Sequence, residues 1–195
     1  MTLPSSLELA GVAANLGAVV LAWRRSWLTW PVGLVGAVLA AWLFRDQKLY
    51  ADAALQGLFL AQGLYGWWSW RRPTRDVPLR YLTAREWAAL TALTAVATAG
   101  IGTVLARRTD AAAPHLDVFL TTVSVVANQL LARRVVDNWA LWVLVDVLYV
   151  GLYAYKGLWA YAWLYAVFIG IAAAAWADWR RACAAAYASE AAPRA

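Results

Sequence analysis

Residues 138–149 read NWALWVLVDVLY, an apolar run that nevertheless carries an amide, two indoles, a carboxyl and a phenol. On a helix, Trp139, Trp142, Asp146 and Tyr149 share one face because they recur at steps of three and four, and the opposite face is Val, Leu and Ala. A carboxyl is expensive to bury against hydrocarbon. We therefore expect a membrane helix whose polar face meets a partner or a cavity, suited to a flat, polar and even cationic small molecule.

The composition predicts that nearly the whole chain lies in a membrane. Of its 195 residues 64% are apolar, 14 are Trp, and the mean hydropathy is +0.55. Runs of about 18 apolar residues span a bilayer core roughly 30 Å thick. Seven runs approach that length, which predicts an all-α integral membrane protein with seven transmembrane helices: residues 7–23, 27–44, 49–70, 87–105, 114–132, 138–155 and 158–176.

The placement of charge predicts the orientation in the membrane. The net charge of +6 could indicate nucleic-acid binding, but 12 of the 17 Lys and Arg follow the odd-numbered helices. Cytoplasmic loops carry such an excess, so we expect the N-terminus outside, the C-terminus in the cytoplasm, and no nucleic-acid partner. The first run lacks a basic start and a small-residue cleavage site, so we expect it to be a membrane helix rather than a signal peptide.

The chain carries no motif for catalysis. It shows no His, Cys, Asp and Glu grouping with metal-ligand spacing, no phosphate-binding loop, no dinucleotide fingerprint and no serine elbow. We therefore expect no cofactor, no metal and no catalytic residue. An integral-membrane enzyme acting on a lipid or cofactor stays the alternative from another functional class.

The sequence resembles itself in three ordered places. Leu49-Tyr50-Ala51 is echoed by Leu158-Trp159-Ala160, and the Trp67 motif WxxWRR is echoed at Trp176, both 109 positions later. Arg pairs precede Trp-x-x-Trp motifs at Trp27 and at Trp139, and this Trp motif is offset by 112, which we interpret as a change in loop length.

These echoes predict a 3+1+3 architecture. A chain that crosses the membrane three times ends on the opposite side. Two three-helix repeats with the same orientation therefore need one helix between them. The predicted parts are residues 1–70 (first repeat), 71–113 (linker with transmembrane helix 4), 114–181 (second repeat) and 182–195 (cytoplasmic tail). Transporters built from such repeats bind substrate near the midplane, at the repeat interface.

Further polar side chains within the predicted spans are candidates for substrate binding. Asn138 begins helix six, Asn128 and Gln129 lie in helix five, and Gln56 lies in helix three. Each amide offers both a donor and an acceptor. Amides also join neighbouring membrane helices, and for Asn128 that structural reading is as strong as the functional one.

Several motifs together closely resemble the PnuC family over roughly residues 23–180. These are WPxG at Trp30, LYADxxLQxxF at Leu49, YGWWxW at Tyr65, NWxxWxxxD at Asn138 and YKGL at Tyr155. The resemblance implies a full-length SWEET-like fold and uptake of nicotinamide riboside by facilitated diffusion, with a cytoplasmic kinase trapping the substrate. Family relatives that carry thiamine or riboflavin are alternatives, as is proton-coupled uptake with Asp146 as the carrier.

The resemblance and the residues agree on chemistry. Nicotinamide riboside has a flat cationic ring, which suits indoles, and a hydroxylated sugar, which suits amides, Asp146 and Tyr149. A phosphate favours Arg or Lys, and no apolar run has one deep inside, so the unphosphorylated riboside is preferred to the mononucleotide. Asp137 stands where many members have Glu, and we expect this change to matter little. We expect membrane lipids as partners, and the sequence leaves open whether the protein forms homo-oligomers.

Overall fold

The structure is a computed structural model that describes residues 6–46, 50–71, 79–109, 113–155, 157 and 159–191. Helices are expected here because a helix satisfies its own backbone polar groups within lipid. The described part is all-helical, with seven α-helices and no named strand: α1 Ser6–Trp23, α2 Thr29–Asp46, α3 Tyr50–Trp70, α4 Ala84–Arg108, α5 Pro114–Ala132, α6 Asn138–Tyr155 and α7 Trp159–Ala191.

Several helices have the length and apolar composition of membrane spans. Within the described residues four segments qualify by those two criteria: Ala84–Arg108, Pro114–Ala132, Asn138–Tyr155 and Tyr161–Ser189. Ala10–Trp23 and Thr29–Trp42 are apolar but shorter. Large apolar side chains also face outward, with Trp163 72%, Val96 71% and Trp42 68% exposed. Exposed apolar surfaces of this kind promote aggregation in water, whereas they are normal in contact with lipid.

The described residues form two compact units. The first lies within Met1–Pro78 and Leu131–Arg133, and the second lies within Leu79–Leu130 and Arg134–Ala195. In the first unit α2 packs against both α1 and α3, and Trp70 Nε1 donates a hydrogen bond to the Ala132 carbonyl at 3.1 Å. In the second unit α6 packs against α7.

Corresponding helices of the two predicted repeats start or end at a constant spacing. α2 and α6 each contain 18 residues, and their first residues are 109 positions apart. The same spacing separates the first residues of α3 and α7 and the last residues of α1 and α5. Trp30 and Trp70 meet edge to face with centroids 5.6 Å apart, and Trp139 and Trp179 do the same at 5.6 Å.

This spacing corrects the alignment drawn from the sequence. The 112-residue offset that paired Trp27 with Trp139 is wrong, because Trp30 is the residue that occupies the position equivalent to Trp139. No change in loop length is needed. The Trp-x-x-Trp motif gave the wrong alignment of the two predicted repeats, because its position within them differs by three residues, nearly one helical turn.

The turns that end α1 and α5 share an unusual backbone. Arg25 and Arg134 both have φ of 56°, in the left-handed region that favours glycine. The next amides close the turns, with Ser26 N donating to Leu21 O at 2.9 Å and Val135 N donating to Leu130 O at 3.0 Å. This is the Schellman arrangement that ends many helices.

The segment before α4 is bonded to the α5–α6 turn within the second unit. Val136 N donates to Arg80 O at 2.9 Å, and Leu82 N donates to the Asp137 carboxylate at 2.6 Å. Thr83 then caps α4 in a reciprocal hydrogen-bonded pair with Glu86. We call residues 79–83 the lead segment. The Asp137 carboxylate thus accepts from a backbone amide 55 residues away in the chain, and the expectation that Asp in place of Glu matters little here stays a prediction.

Candidate functional site

The two faces of α6 differ in exposure as the sequence predicts. Asp146 is 6% exposed and Trp139 is 2% exposed, whereas Val147 on the opposite side is 50% exposed and Leu144 is 42% exposed. Trp142 and Tyr149 are partly buried. The amphipathic interpretation of this helix is confirmed, and its polar and aromatic face lies inside the second unit.

Asn138 and Trp139 are fixed tightly at the start of α6. Asn138 is fully buried, and its Nδ2 donates to the Val135 carbonyl at 2.6 Å, while its Oδ1 has no partner within the described part of the chain. Trp139 packs edge to face against Trp179. Its buried indole N–H is also unpaired among the described residues, but so is that of Trp30, so this property belongs to the repeat rather than to one site.

Asp146 is a buried carboxyl without a compensating group. It forms no hydrogen bond or ion pair with any residue that the structure describes. Tyr149 lies one turn further along the same face and belongs to a cluster with Leu120, Val123 and Val145. An ionised carboxylate in such surroundings is strongly disfavoured unless a cation or a proton accompanies it.

The remaining predicted amides are divided between the two units. Asn128 and Gln129 are partly buried near the end of α5, in the same unit as α6. Gln56 is partly buried on α3 in the first unit. An open groove of about 430 Å³ lies elsewhere, between Leu64, Trp67, Trp68 and Arg71 on the first unit. The eight predicted residues stay predictions as substrate ligands.

α7 supplies aromatic groups that the sequence reasoning did not include. Tyr165 contacts Tyr149 with centroids 4.7 Å apart and contacts Tyr153 at 5.4 Å, and Tyr161 contacts Tyr153 at 5.3 Å. Tyr161, Tyr165 and Phe168 recur at steps of four and three, which was the available signal. Such residues are easily interpreted as members of an interfacial aromatic belt.

The electrostatics at the start of α6 are set by two arginines outside the helices. Burial lowers the pKa of Arg134, which is 7% exposed. The Glu86 carboxylate, hydrogen-bonded to Arg80 at 2.8 and 2.9 Å, raises the pKa of that guanidinium. Both groups remain cationic at neutral pH because arginine does not lose its proton in proteins. Two cationic groups therefore lie near the start of α6, and the Glu86 carboxylate balances the charge of Arg80.

The all-helical fold agrees with a comparison to known protein families. The profile described as "Nicotinamide mononucleotide transporter" matches residues 5–181. The chain belongs to this family. A solved chain described as "Crystal structure of the Vitamin B3 transporter PnuC" has a TM-score of 0.71 and 23% identity, over 91% of this chain and 81% of that chain, and so shows the same fold.

Curated relatives are transporters of more than one vitamin. The "Nicotinamide riboside transporter PnuC" of Escherichia coli (strain K12) is 29% identical over 196 residues, which is 86% of this chain and 82% of the relative. The "Riboflavin/roseoflavin transporter RibM" of Streptomyces davaonensis is 31% identical over 166 residues, which is 77% of this chain and 75% of the relative. The PnuC resemblance is confirmed, and the chain is a membrane protein of a transporter family.

Proposed function

We propose that this protein carries nicotinamide riboside across the bacterial inner membrane by facilitated diffusion. The observation that carries the proposal is the unpaired, 6% exposed carboxyl of Asp146 on the aromatic face of α6. The riboside brings the cation that such a carboxyl lacks, and its flat ring matches the indole of Trp142. An indole face attracts a cation by about 0.5–2 kcal/mol, and more where water is excluded.

The unphosphorylated riboside suits the site better than the mononucleotide. Neither α5 nor α6 contains a Lys or Arg, so a phosphate on the substrate has no basic partner along either helix. The names of the family profile and of the curated relatives differ on this point, and the residues of α5 and α6 favour the riboside.

The transport cycle proposed here is alternating access by two parallel three-helix repeats in a 3+1+3, SWEET-like arrangement. Its support is the constant 109-residue spacing between corresponding helix ends. The distribution of Arg and Lys supports a topology with the N-terminus outside and the C-terminus in the cytoplasm. A riboside kinase in the cytoplasm makes net uptake one-way by phosphorylating the imported riboside. The transporter itself catalyses no reaction.

Calorimetry on the purified protein tests the site. We expect saturable nicotinamide riboside binding that Trp142→Ala abolishes and that Asp146→Asn weakens at least about tenfold, because the neutral amide removes the charge facing the ring. Trp163→Ala, a change to an outward-facing indole that is 72% exposed, is the matched control. Unchanged affinity in both site variants, with all three proteins folded, contradicts the proposed site.

A riboflavin carrier is the second candidate, favoured by the 31% identity to RibM. Competition for labelled riboside by riboflavin, thiamine and the mononucleotide separates these substrates. Proton coupling through Asp146 is tested by measuring riboside uptake into liposomes that contain the purified protein. Accumulation above the external concentration, driven by a pH gradient and lost in Asp146→Asn, establishes coupling, whereas equal concentrations on both sides establish facilitated diffusion.

A further inference from the structure

A continuous column of tyrosines connects the neighbourhood of Asp146 to the end of α6. Tyr149 and Tyr153 stack at 5.8 Å with an 18° angle between their planes, and Tyr153 stacks on Tyr161 at 5.3 Å and 27°. Tyr165 lies against both Tyr149 and Tyr153, at 4.7 and 5.4 Å. We call these four residues the tyrosine ladder.

The ladder passes from a buried site to an open surface. Tyr149 follows the buried Asp146 by one turn on the same face, Tyr149, Tyr153 and Tyr165 are partly buried, and Tyr161 is 54% exposed. A ligand that enters at Tyr161 therefore meets aromatic rings continuously until it reaches the carboxyl.

The first half of the sequence lacks the ladder, although it has the Trp pair. The Trp pairs are present in both repeats, with the same distance and angle, as expected of a structural element. The ladder is present in one repeat only. The positions 109 residues earlier, corresponding to Tyr149, Tyr153, Tyr161 and Tyr165, are Ala40, Phe44, Asp52 and Gln56.

We propose that the tyrosine ladder is a second binding surface for the flat cationic ring of the substrate, crossed before the ring reaches Asp146. This inference rests on the proposed function. In the topology proposed above, the exposed end at Tyr161 faces the outside. The faces of phenol rings carry negative potential and attract a cation at any position along the tyrosine ladder. The cationic ring of the substrate can therefore move from one tyrosine to the next without binding strongly at any of them.

The test compares the cationic riboside with its neutral, reduced dihydro form in binding and in initial uptake into liposomes. Tyr161→Leu is the principal variant because a half-exposed ring can be removed with little effect on packing. We expect it to weaken riboside binding and slow uptake about three- to tenfold while changing the values for the neutral form less than twofold. Tyr161→Phe keeps the ring and should keep the wild-type values.

Tyr155→Leu is the matched control, since Tyr155 is 91% exposed on the same end of α6 and outside the ladder. A second variant, Tyr153→Trp, replaces a phenol by the stronger cation-binding indole and should tighten riboside binding. Equal losses for the cationic and neutral forms in Tyr161→Leu, or no loss for either, overturn the ladder while leaving the proposed function intact. Wild-type protein that neither binds nor carries the riboside removes both proposals.

Discussion

The indoles of Trp139 and Trp179 meet edge to face, with their centroids 5.6 Å apart and their planes at 81°. Trp30 and Trp70 reproduce this contact at 5.6 Å and 80° in the first unit. Both Trp139 and Trp179 are almost completely buried. Edge-to-face pairs stabilise by about 0.5–1.5 kcal/mol beyond the area they bury, so these contacts help to join α2 to α3 and α6 to α7.

Removing Trp179 should therefore cost stability before it affects transport. Trp179→Ala is expected to lower the free energy of unfolding by about 3–5 kcal/mol, the usual cost of deleting a buried Trp side chain. Thermal unfolding in detergent measures the change, with the 72% exposed Trp163→Ala as the control expected to have almost no effect. Equal unfolding temperatures for the two variants contradict the structural role of the pair.

Gly66 allows the first of these pairs to form. A Cβ at this position lies against three ring atoms of Trp30, and the rigid indole has no flexible end that can move away. We expect Gly66→Ala to destabilise the protein by about 1–3 kcal/mol through overpacking. Gly57→Ala, where nothing lies within 4 Å of the added carbon, should be neutral or slightly stabilising. A stabilising Gly66→Ala is incompatible with the packing described.

The Asp137 carboxylate should control how firmly the lead segment is held. Asp137→Ala leaves the Leu82 amide without its acceptor, and we expect faster hydrogen exchange at Leu82 and a loss of about 1–3 kcal/mol. Asp137→Glu keeps a carboxylate at this position and should retain most of the protection. Arg181→Ala is the control, because it removes an exposed ion pair with Asp178 and should change stability by less than about 1 kcal/mol.

Replacing Arg25 by glycine should stabilise the first turn. A side chain at φ of 56° costs roughly 1–2 kcal/mol, part of which is offset by the greater freedom of glycine in the unfolded chain. We expect Arg25→Gly to raise the free energy of unfolding by about 0.5–1 kcal/mol. Arg24→Gly, at an exposed neighbour without positive φ, should give no gain, and a gain of the same size there refutes the backbone explanation.

The helices were predictable because their signals are local. The predicted run at 138–155 coincides with α6, and the run at 114–132 coincides with α5. α7 is longer than its apolar run and continues to Ala191, because an Ala-rich sequence favours the helix even where it is no longer apolar. The face of α6 that carries Asp146 was also predictable, because helical periodicity determines which residues lie together.

Contacts between distant parts of the chain were not predictable in the same way. Leu82 and Asp137 are 55 residues apart, and nothing in the local sequence pairs a backbone amide with a particular carboxylate. The tyrosines of α7 were not predicted as neighbours of the α6 face, because helical spacing within α7 does not reveal which helix it packs against. The sequence predicted an offset of 109 at two of its three echoes, and the packing of Trp30 on Trp70 and of Trp139 on Trp179 corrects the third.

The left-handed arginines of the two equivalent turns carry a consequence for biogenesis. Glycine is the residue that this backbone prefers, yet both positions have a guanidinium beside another arginine. Positive charges flanking a newly made helix hold that flank on the side where synthesis occurs. In the topology proposed above both turns face the cytoplasm, so replacing Arg25 and Arg134 by glycine, which suits this backbone, also removes two of the charges that direct insertion.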